Sequence, residues 1–86
     1  MQTTAIGLAN RELGRLVKLR NCPEAFALAA RMKEQGIIPN LITYNLLLEA
    51  CQDAALVDEA WAVFEDMLAV GILPSHSTFQ LLLQVR

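Results

Sequence analysis

The 86 residues carry a formal net charge of −2, and 55% of them are apolar. That leaves room for one small domain and is too apolar for an intrinsically disordered chain. The apolar runs are short, such as Leu46 to Leu48, well below the ~18 residues a membrane-spanning helix needs.

Taken in chain order, apolar residues at three and four spacing predict helices over about Gly7 to Leu19, Pro23 to Gln35, Ile42 to Asp53 and Val57 to Val70, with His76 to Arg86 opening a fifth. Asn21 is placed to cap the second helix, with Pro23 in its first turn and Glu24 three residues on, resembling a capping box. Asp58 and Glu59 put negative charge at the start of the fourth helix, where the dipole favours it. In that helix Val57, Ala60, Trp61, Phe64, Met67 and Leu68 share one stripe, which reads as core. In the last segment Phe79, Leu81, Leu82 and Leu83 have no partner helix after them and form the expected sticky surface. The β-branched residues are scattered and period-2 alternation does not persist, so no strand is expected.

The turns between helix pairs repeat. Gly36 to Asn45, GIIPNLITYN, returns 35 residues later as Gly71 to Gln80, GILPSHSTFQ. In each, a Gly can take the left-handed cap conformation and a Pro cannot prolong the helix it follows. Self-comparison at this offset gives 13 identities in 51 pairs, where unrelated sequence of this composition gives roughly 4. The units are Ile6 to Asn40, Leu41 to Ser75, and the first helix of a third from His76 to Arg86. Helix pairs repeated in tandem bury their apolar faces only by stacking, so the expected fold is all-α: one array of antiparallel pairs, about five helices, wound as a right-handed superhelical solenoid.

These residues resemble the pentatricopeptide repeat, the 35-residue relative of the tetratricopeptide repeat. The second unit carries the likeness in Thr43-Tyr44-Asn45, Glu59-Ala60, Phe64 with Met67, and the Gly71 to Pro74 ending; the first unit is a more divergent copy. A tetratricopeptide repeat would show a 34-residue period and a Trp-Leu-Gly-Tyr signature in its first helix, whereas Trp61 sits in a second helix. The resemblance implies binding of single-stranded RNA, one base per repeat, read by side chains on the concave face. By the family's pattern the base-selecting residues are Asn10 with Asn40, resembling a pyrimidine reader, and Asn45 with Ser75, resembling a cytosine reader. Ile42 would be the apolar wedge beside the base, with Gly7 a poor substitute in the first unit. Asn40 and Ser75 are also good helix caps, which is the plain structural alternative.

Charge divides between the units. Ile6 to Asn40 has six basic and three acidic residues, while Leu41 to Ser75 has six acidic and no basic ones. Arg11, Arg15 and Lys18 form a basic stripe beside Asn10, the expected phosphate contact, with Lys18 where many family members place a phosphate-binding Lys. Asp53 takes that place in the second unit, so a protein-binding scaffold without RNA contact is the competing expectation. No nucleophile with a base, metal cluster or Gly-rich phosphate loop is present, so neither an enzyme nor a cofactor is expected. Cys22 and Cys51 read as small buried hydrophobes, and His76 carries no chemistry. The family works mostly in mitochondria and plastids, with the mitochondrion the first expectation. The basic opening residues are in register with the repeat from Ile6 onward and read as helix rather than as a transit peptide. An array this short is expected to be marginally stable or to self-associate through its terminal helices.

Overall fold

The computed structural model describes residues 2–85, so Arg86, the expected end of the third unit's first helix, lies outside the described residues. Five helices follow one another: α1 (Gln2–Lys18), α2 (Cys22–Glu34), α3 (Leu41–Ala54), α4 (Val57–Ala69) and α5 (His76–Gln84). α1 begins ahead of the expected Gly7 because nothing from Gln2 to Ile6 breaks a helix. No strand occurs among the described residues.

α1 packs on α2 and α3 on α4, while the first helices stack on one another, α1 on α3 and α3 on α5. α2 also meets α3, and α4 meets α5, but α2 and α4 make no close backbone approach to each other. First helices thus form one layer and second helices another, more widely spaced layer, which is the curvature of a solenoid. Residues repeated at the 35 offset are largely those that build this packing. Leu13 and Leu48, Ala25 and Ala60, and Met32 and Met67 are all fully buried pairs in the core. Small Ala side chains at a helix–helix contact allow close approach, and the flexible Met fills irregular core space.

The ends of α1 to α4 follow the same plan. Gly36 and Gly71 take φ of 76° and 86°. Ile37 N–H then donates to the Met32 carbonyl and Ile72 N–H to the Met67 carbonyl, closing a Schellman turn in both units. The turns inside each helix pair use the same hydrogen bonds with a non-glycine residue, Arg20 at φ 57° and Ala55 at φ 55°. There Asn21 N–H donates to the Leu16 carbonyl and Leu56 N–H to the Cys51 carbonyl.

Three expectations require correction, the first being the sticky face of α5: Phe79 and Leu83 are exposed, but Leu82 is buried in the core and Leu81 is packed against it. Asn21 stands at the N-cap of α2 with Pro23 in the first turn, but its side chain makes no capping bond; its φ and ψ of −94° and 69° are not the extended geometry of the side-chain-capped starts. The capping boxes lie instead at Asn40 with Thr43 and at Ser75 with Thr78. Trp61 is not core: it is 51% exposed, and Val57 and Leu68 are exposed with it. The buried face of α4 is Ala60, Val63 and Met67, so the stripe is rotated from the one drawn through Trp61, and Trp61 lies on its flank. There it meets Phe64 edge-on, with ring centroids 6.0 Å apart, and Phe64 in turn meets Phe79 at 5.8 Å. The repeat explains the exposure. Tyr44, the counterpart of Phe79, is 1% exposed because it sits between α2 and α4, whereas Phe79 is 47% exposed with no following helix pair over it among the described residues.

Candidate nucleic-acid interface

α1 and α3 lie side by side in the first-helix layer, and the furrow between them is an open groove of about 710 Å³. Asn10, Arg11, Arg15 and Lys18 line it from α1, and Ile42 and Leu46 from α3. The structure therefore brings together Asn10, the whole basic stripe and Ile42, the expected wedge, whereas Asn40, Asn45 and Ser75 do not line this groove. Gly7 and Gly14 keep the α1 wall low: a Cβ at Gly7 would meet nothing within 4 Å, and one at Gly14 would touch Leu46 at 3.8 Å. Ile42 is 59% exposed on the groove rim, an apolar, χ1-restricted side chain left in water.

The electrostatics of this groove are basic but partly compensated. Arg11, Arg15 and Lys18 are all exposed, and the Arg15 guanidinium donates to the Glu12 carboxylate at 2.9 Å. In the second unit the corresponding surface is acidic or neutral. Glu49 replaces Gly14, and Asp53 replaces Lys18. Asp53 lines a separate cavity of about 80 Å³ beside Asn21 and Cys22, at the start of α2. Gln52 Nε2 donates to Gln84 Oε1 at 2.7 Å, joining α3 to α5.

The four residues expected to select bases are held in two hydrogen-bonded clusters at the repeat junctions. In the first, Asn10 Nδ2 donates to Asn40 Oδ1 at 3.0 Å, and Thr43 Oγ1 donates to Asn10 Oδ1. Asn40 Oδ1 also accepts from Thr43 N–H at 3.1 Å, while Asn40 N–H donates to Thr43 Oγ1 at 3.2 Å. In the second, Thr78 Oγ1 donates to Asn45 Oδ1 at 2.6 Å, and Ser75 and Thr78 cap each other. Asn10 and Asn40 are thus directly bonded, whereas Asn45 and Ser75 meet only through Thr78. Asn40 and Ser75 do act as caps, and the capping partner also grips the preceding Asn. Thr43 and Thr78 were not singled out from sequence as site residues. Their recurrence at the 35 offset was the available signal, although a repeated Thr in the first turn of a helix reads first as part of a cap.

The opposite layer carries a second feature that sequence did not reveal. Between α2 and α4 lies an apolar groove of about 420 Å³, lined by Phe26, Ala29, Tyr44, Leu47 and Val63 among others. Lys33 Nζ and Asp66 Oδ2 close one end at 2.6 Å, and Tyr44 OH donates to the same carboxylate oxygen at 3.0 Å. The Lys33 ammonium holds the Asp66 carboxyl below the usual carboxylate range; burial opposes this, and the Tyr44 hydroxyl assists it. Burial, then the bond to Asp66, pushes the Tyr44 phenol up to about 12.

The thiols agree with the sequence reading. Cys22 and Cys51 are both buried. Burial, followed by the nearby Glu59 and Asp53 carboxylates, raises the Cys22 thiol; burial, then Cys22 and Glu59, takes Cys51 to about 12. Un-ionised thiols of this kind are poor nucleophiles. Among the described residues no group of His, Cys, Asp and Glu could hold a metal ion. No described helix is long and apolar enough to cross a membrane.

Comparison with known proteins converges on one family. A family model described as the pentacotripeptide-repeat region of PRORP matches residues 11–86. A mitochondrial pentatricopeptide repeat-containing protein of Arabidopsis thaliana is 48% identical over 50 residues, 58% of this chain and 8% of the relative. A chloroplastic one from the same plant is 42% identical over 56 residues, 64% of this chain and 7% of the relative. A putative pentatricopeptide repeat-containing protein of that plant is 32% identical over 74 residues, 86% of this chain and 13% of the relative. The chain therefore spans only a small part of the length of the relatives it matches. The helix-pair repeat, its 35-residue period, the glycine turns at Gly36 and Gly71 and the match across residues 11–86 agree, and the chain belongs to the pentatricopeptide repeat family.

Proposed function

We propose that the chain is a single-stranded RNA-binding module of an organelle RNA-processing, stability or translation factor, taking one base per repeat and favouring pyrimidines. The observation that carries this reading is the α1–α3 groove, which gathers Asn10, the Arg11, Arg15 and Lys18 stripe, and Ile42 on one surface. A short amide both donates and accepts against a base edge, a β-branched side chain packs beside the ring, and flexible cations meet the phosphates. Asn10 with Asn40 and Asn45 with Ser75 select the base, Ile42 wedges it, and Lys18, Arg15 and Arg11 contact the backbone. The relatives' names include both mitochondrial and chloroplastic proteins, which supports an organelle; the mitochondrion is the reading retained first.

Magnitudes decide how this is tested. Stacking and edge contacts supply about 1–3 kcal/mol per base, whereas association costs an estimated ~4–15 kcal/mol. The 86 residues alone should therefore bind RNA barely or not at all, and the assay belongs in an array of many repeats that contains them. There Ser75→Asp is expected to shift preference from cytosine towards uracil at one nucleotide only. Lys18→Ala should weaken binding to all sequences and lower its salt dependence. Competition among RNAs differing at that nucleotide is the measurement. If Ser75→Asp and Asn45→Ala both leave the ranking unchanged while the array still binds, the second repeat reads no base.

A scaffold reading has its own support in the second unit, where Asp53 and Glu49 face the place of Lys18 and Gly14 and no basic residue occurs. Exposed Trp61, Leu68, Phe79 and Leu83 supply apolar surface for a protein partner or for self-association. An array that binds no RNA at low salt, while its second unit captures a protein through this surface, would favour that reading.

A further inference from the structure

The candidate reading residue of each repeat is held by the first turn of the following repeat's first helix. Asn10 lies on α1, yet its amide oxygen is bonded by Thr43 of α3; Asn45 lies on α3, yet its amide oxygen is bonded by Thr78 of α5. Both threonines are fully buried. A cap alone does not require a third partner, because Ser75 and Thr78 already satisfy one another's backbone N–H groups.

We infer that Thr43 and Thr78 are positioning residues that fix the orientation of the preceding repeat's base-reading amide, so that one repeat presents its reader correctly only when the next supplies the threonine. This rests on the base-reading role proposed above for Asn10 and Asn45. A hydroxyl has one proton. At the first junction Thr43 gives it to Asn10 Oδ1, its shorter contact, because Asn40 Oδ1 already accepts from Asn10 Nδ2 and Thr43 N–H. Turning the Asn10 amide over would set its oxygen against the Asn40 oxygen, two acceptors with no proton between them. The first junction is therefore locked with Asn10 Oδ1 on Thr43 and one Nδ2 proton on Asn40, leaving the other Nδ2 proton for a base acceptor. At the second junction no side-chain amide opposes Asn45, and the Thr78 hydroxyl is its hydrogen-bond anchor. With one Oδ1 lone pair held by Thr78, Asn45 keeps its Nδ2 protons and the second Oδ1 lone pair to offer, in a fixed orientation. Asn45 should accordingly depend on its threonine more than Asn10 does.

Thr78→Val keeps the shape of the side chain and removes the hydroxyl. In the 86-residue chain, nitrogen relaxation of the Asn45 side-chain amide is expected to fall from a rigid value to an order parameter below about 0.6, the range of flexible groups. Thr78→Ser should restore it. Ser75→Ala, which removes the cap partner but not the Thr78–Asn45 bond, should leave it rigid, separating positioning from capping. An Asn45 amide equally rigid in Thr78→Val overturns the inference, as does one equally mobile in Thr78→Ser. In the repeat array, Thr78→Val should reduce discrimination at the single nucleotide by about fivefold, the scale of one hydrogen bond, with Thr78→Ser restoring it. If Asn45→Ala changes the ranking and Thr78→Val does not, the positioning role alone fails. If neither changes it, base reading fails and the positioning role with it.

Discussion

A substitution at Trp61 compared with one at Met67 tests the rotation of the α4 stripe. Had Trp61 been core, its replacement by Ala would cost about 3–5 kcal/mol, much of the ~4–13 kcal/mol expected for a domain this size. Because Trp61 is 51% exposed, it removes only about half of the roughly 250 Å² that a Trp side chain can bury. At ~25 cal/mol per Å² this is about 3 kcal/mol as an upper bound, and a compact denatured chain lowers it to about 2. The edge contact with Phe64 adds about 0.5–1 kcal/mol, and the better helix propensity of Ala returns about 0.5. Trp61→Ala should therefore cost about 2–2.5 kcal/mol. Met67 is fully buried, and Met67→Ala leaves a cavity beneath the Gly71 turn worth about 3–4 kcal/mol. Thermal or urea denaturation followed by circular dichroism separates the two, since each kcal/mol moves Tm by about 4–8 °C in a domain of this size. If Trp61→Ala lowers Tm as much as Met67→Ala does, the packing described for α4 is wrong.

Three further outcomes are expected. Asp66 titrates lower in the folded chain than in the unfolded one, so its contribution is fully present above the unfolded value near ~3.9 and is lost as pH falls through the folded value. Asp66→Asn should flatten the acid limb of a stability–pH curve below about pH 4, by the ~0.2–1 kcal/mol of a solvent-screened pair; an unchanged limb would count against the Lys33–Asp66–Tyr44 cluster. Ala55→Gly should raise stability by about 0.5–1 kcal/mol and Gly71→Ala lower it by about 1–2, both read by urea midpoint, because only the glycine takes φ near +55° to +86° without strain. Sedimentation should show concentration-dependent association that Phe79→Glu with Leu83→Glu suppresses, since both side chains lie exposed on α5; a dilute, concentration-independent monomer in the parent chain would contradict it.

The fold was legible because repetition reports on packing twice. A single Leu13 or Ala25 says little, but Leu13 with Leu48 and Ala25 with Ala60 at one offset mark positions where the same neighbours recur, and all four are buried. Trp61 was misread for a reason of geometry. Residues 57, 60, 61, 64, 67 and 68 share a stripe wide enough to face two neighbours, and hydrophobicity does not say which flank a neighbour covers. Ala60 and Met67 had counterparts in the first unit and were placed correctly; Trp61 and Leu68, facing Phe26 and Lys33 at the offset, had none.

The candidate site was legible by position but not by bonding. Asn10, Ile42 and the basic stripe do converge on one groove, yet the sequence posed Asn40 and Ser75 as either caps or base readers. The structure shows both to be caps, and under the base-reading proposal capping and presentation share one cluster. Asn40 Oδ1 accepts from Thr43 N–H and from Asn10 Nδ2 together, and the buried threonine that completes the cap completes the grip on the reader. At the first boundary Asn40 thus both starts α3 and bonds the amide before it, whereas at the second Ser75 starts α5 and Thr78 bonds that amide. Short amides and hydroxyls suit the boundary because they cap with fixed geometry, and the longer Asn40 amide also reaches the Asn before it, which Ser75 does not.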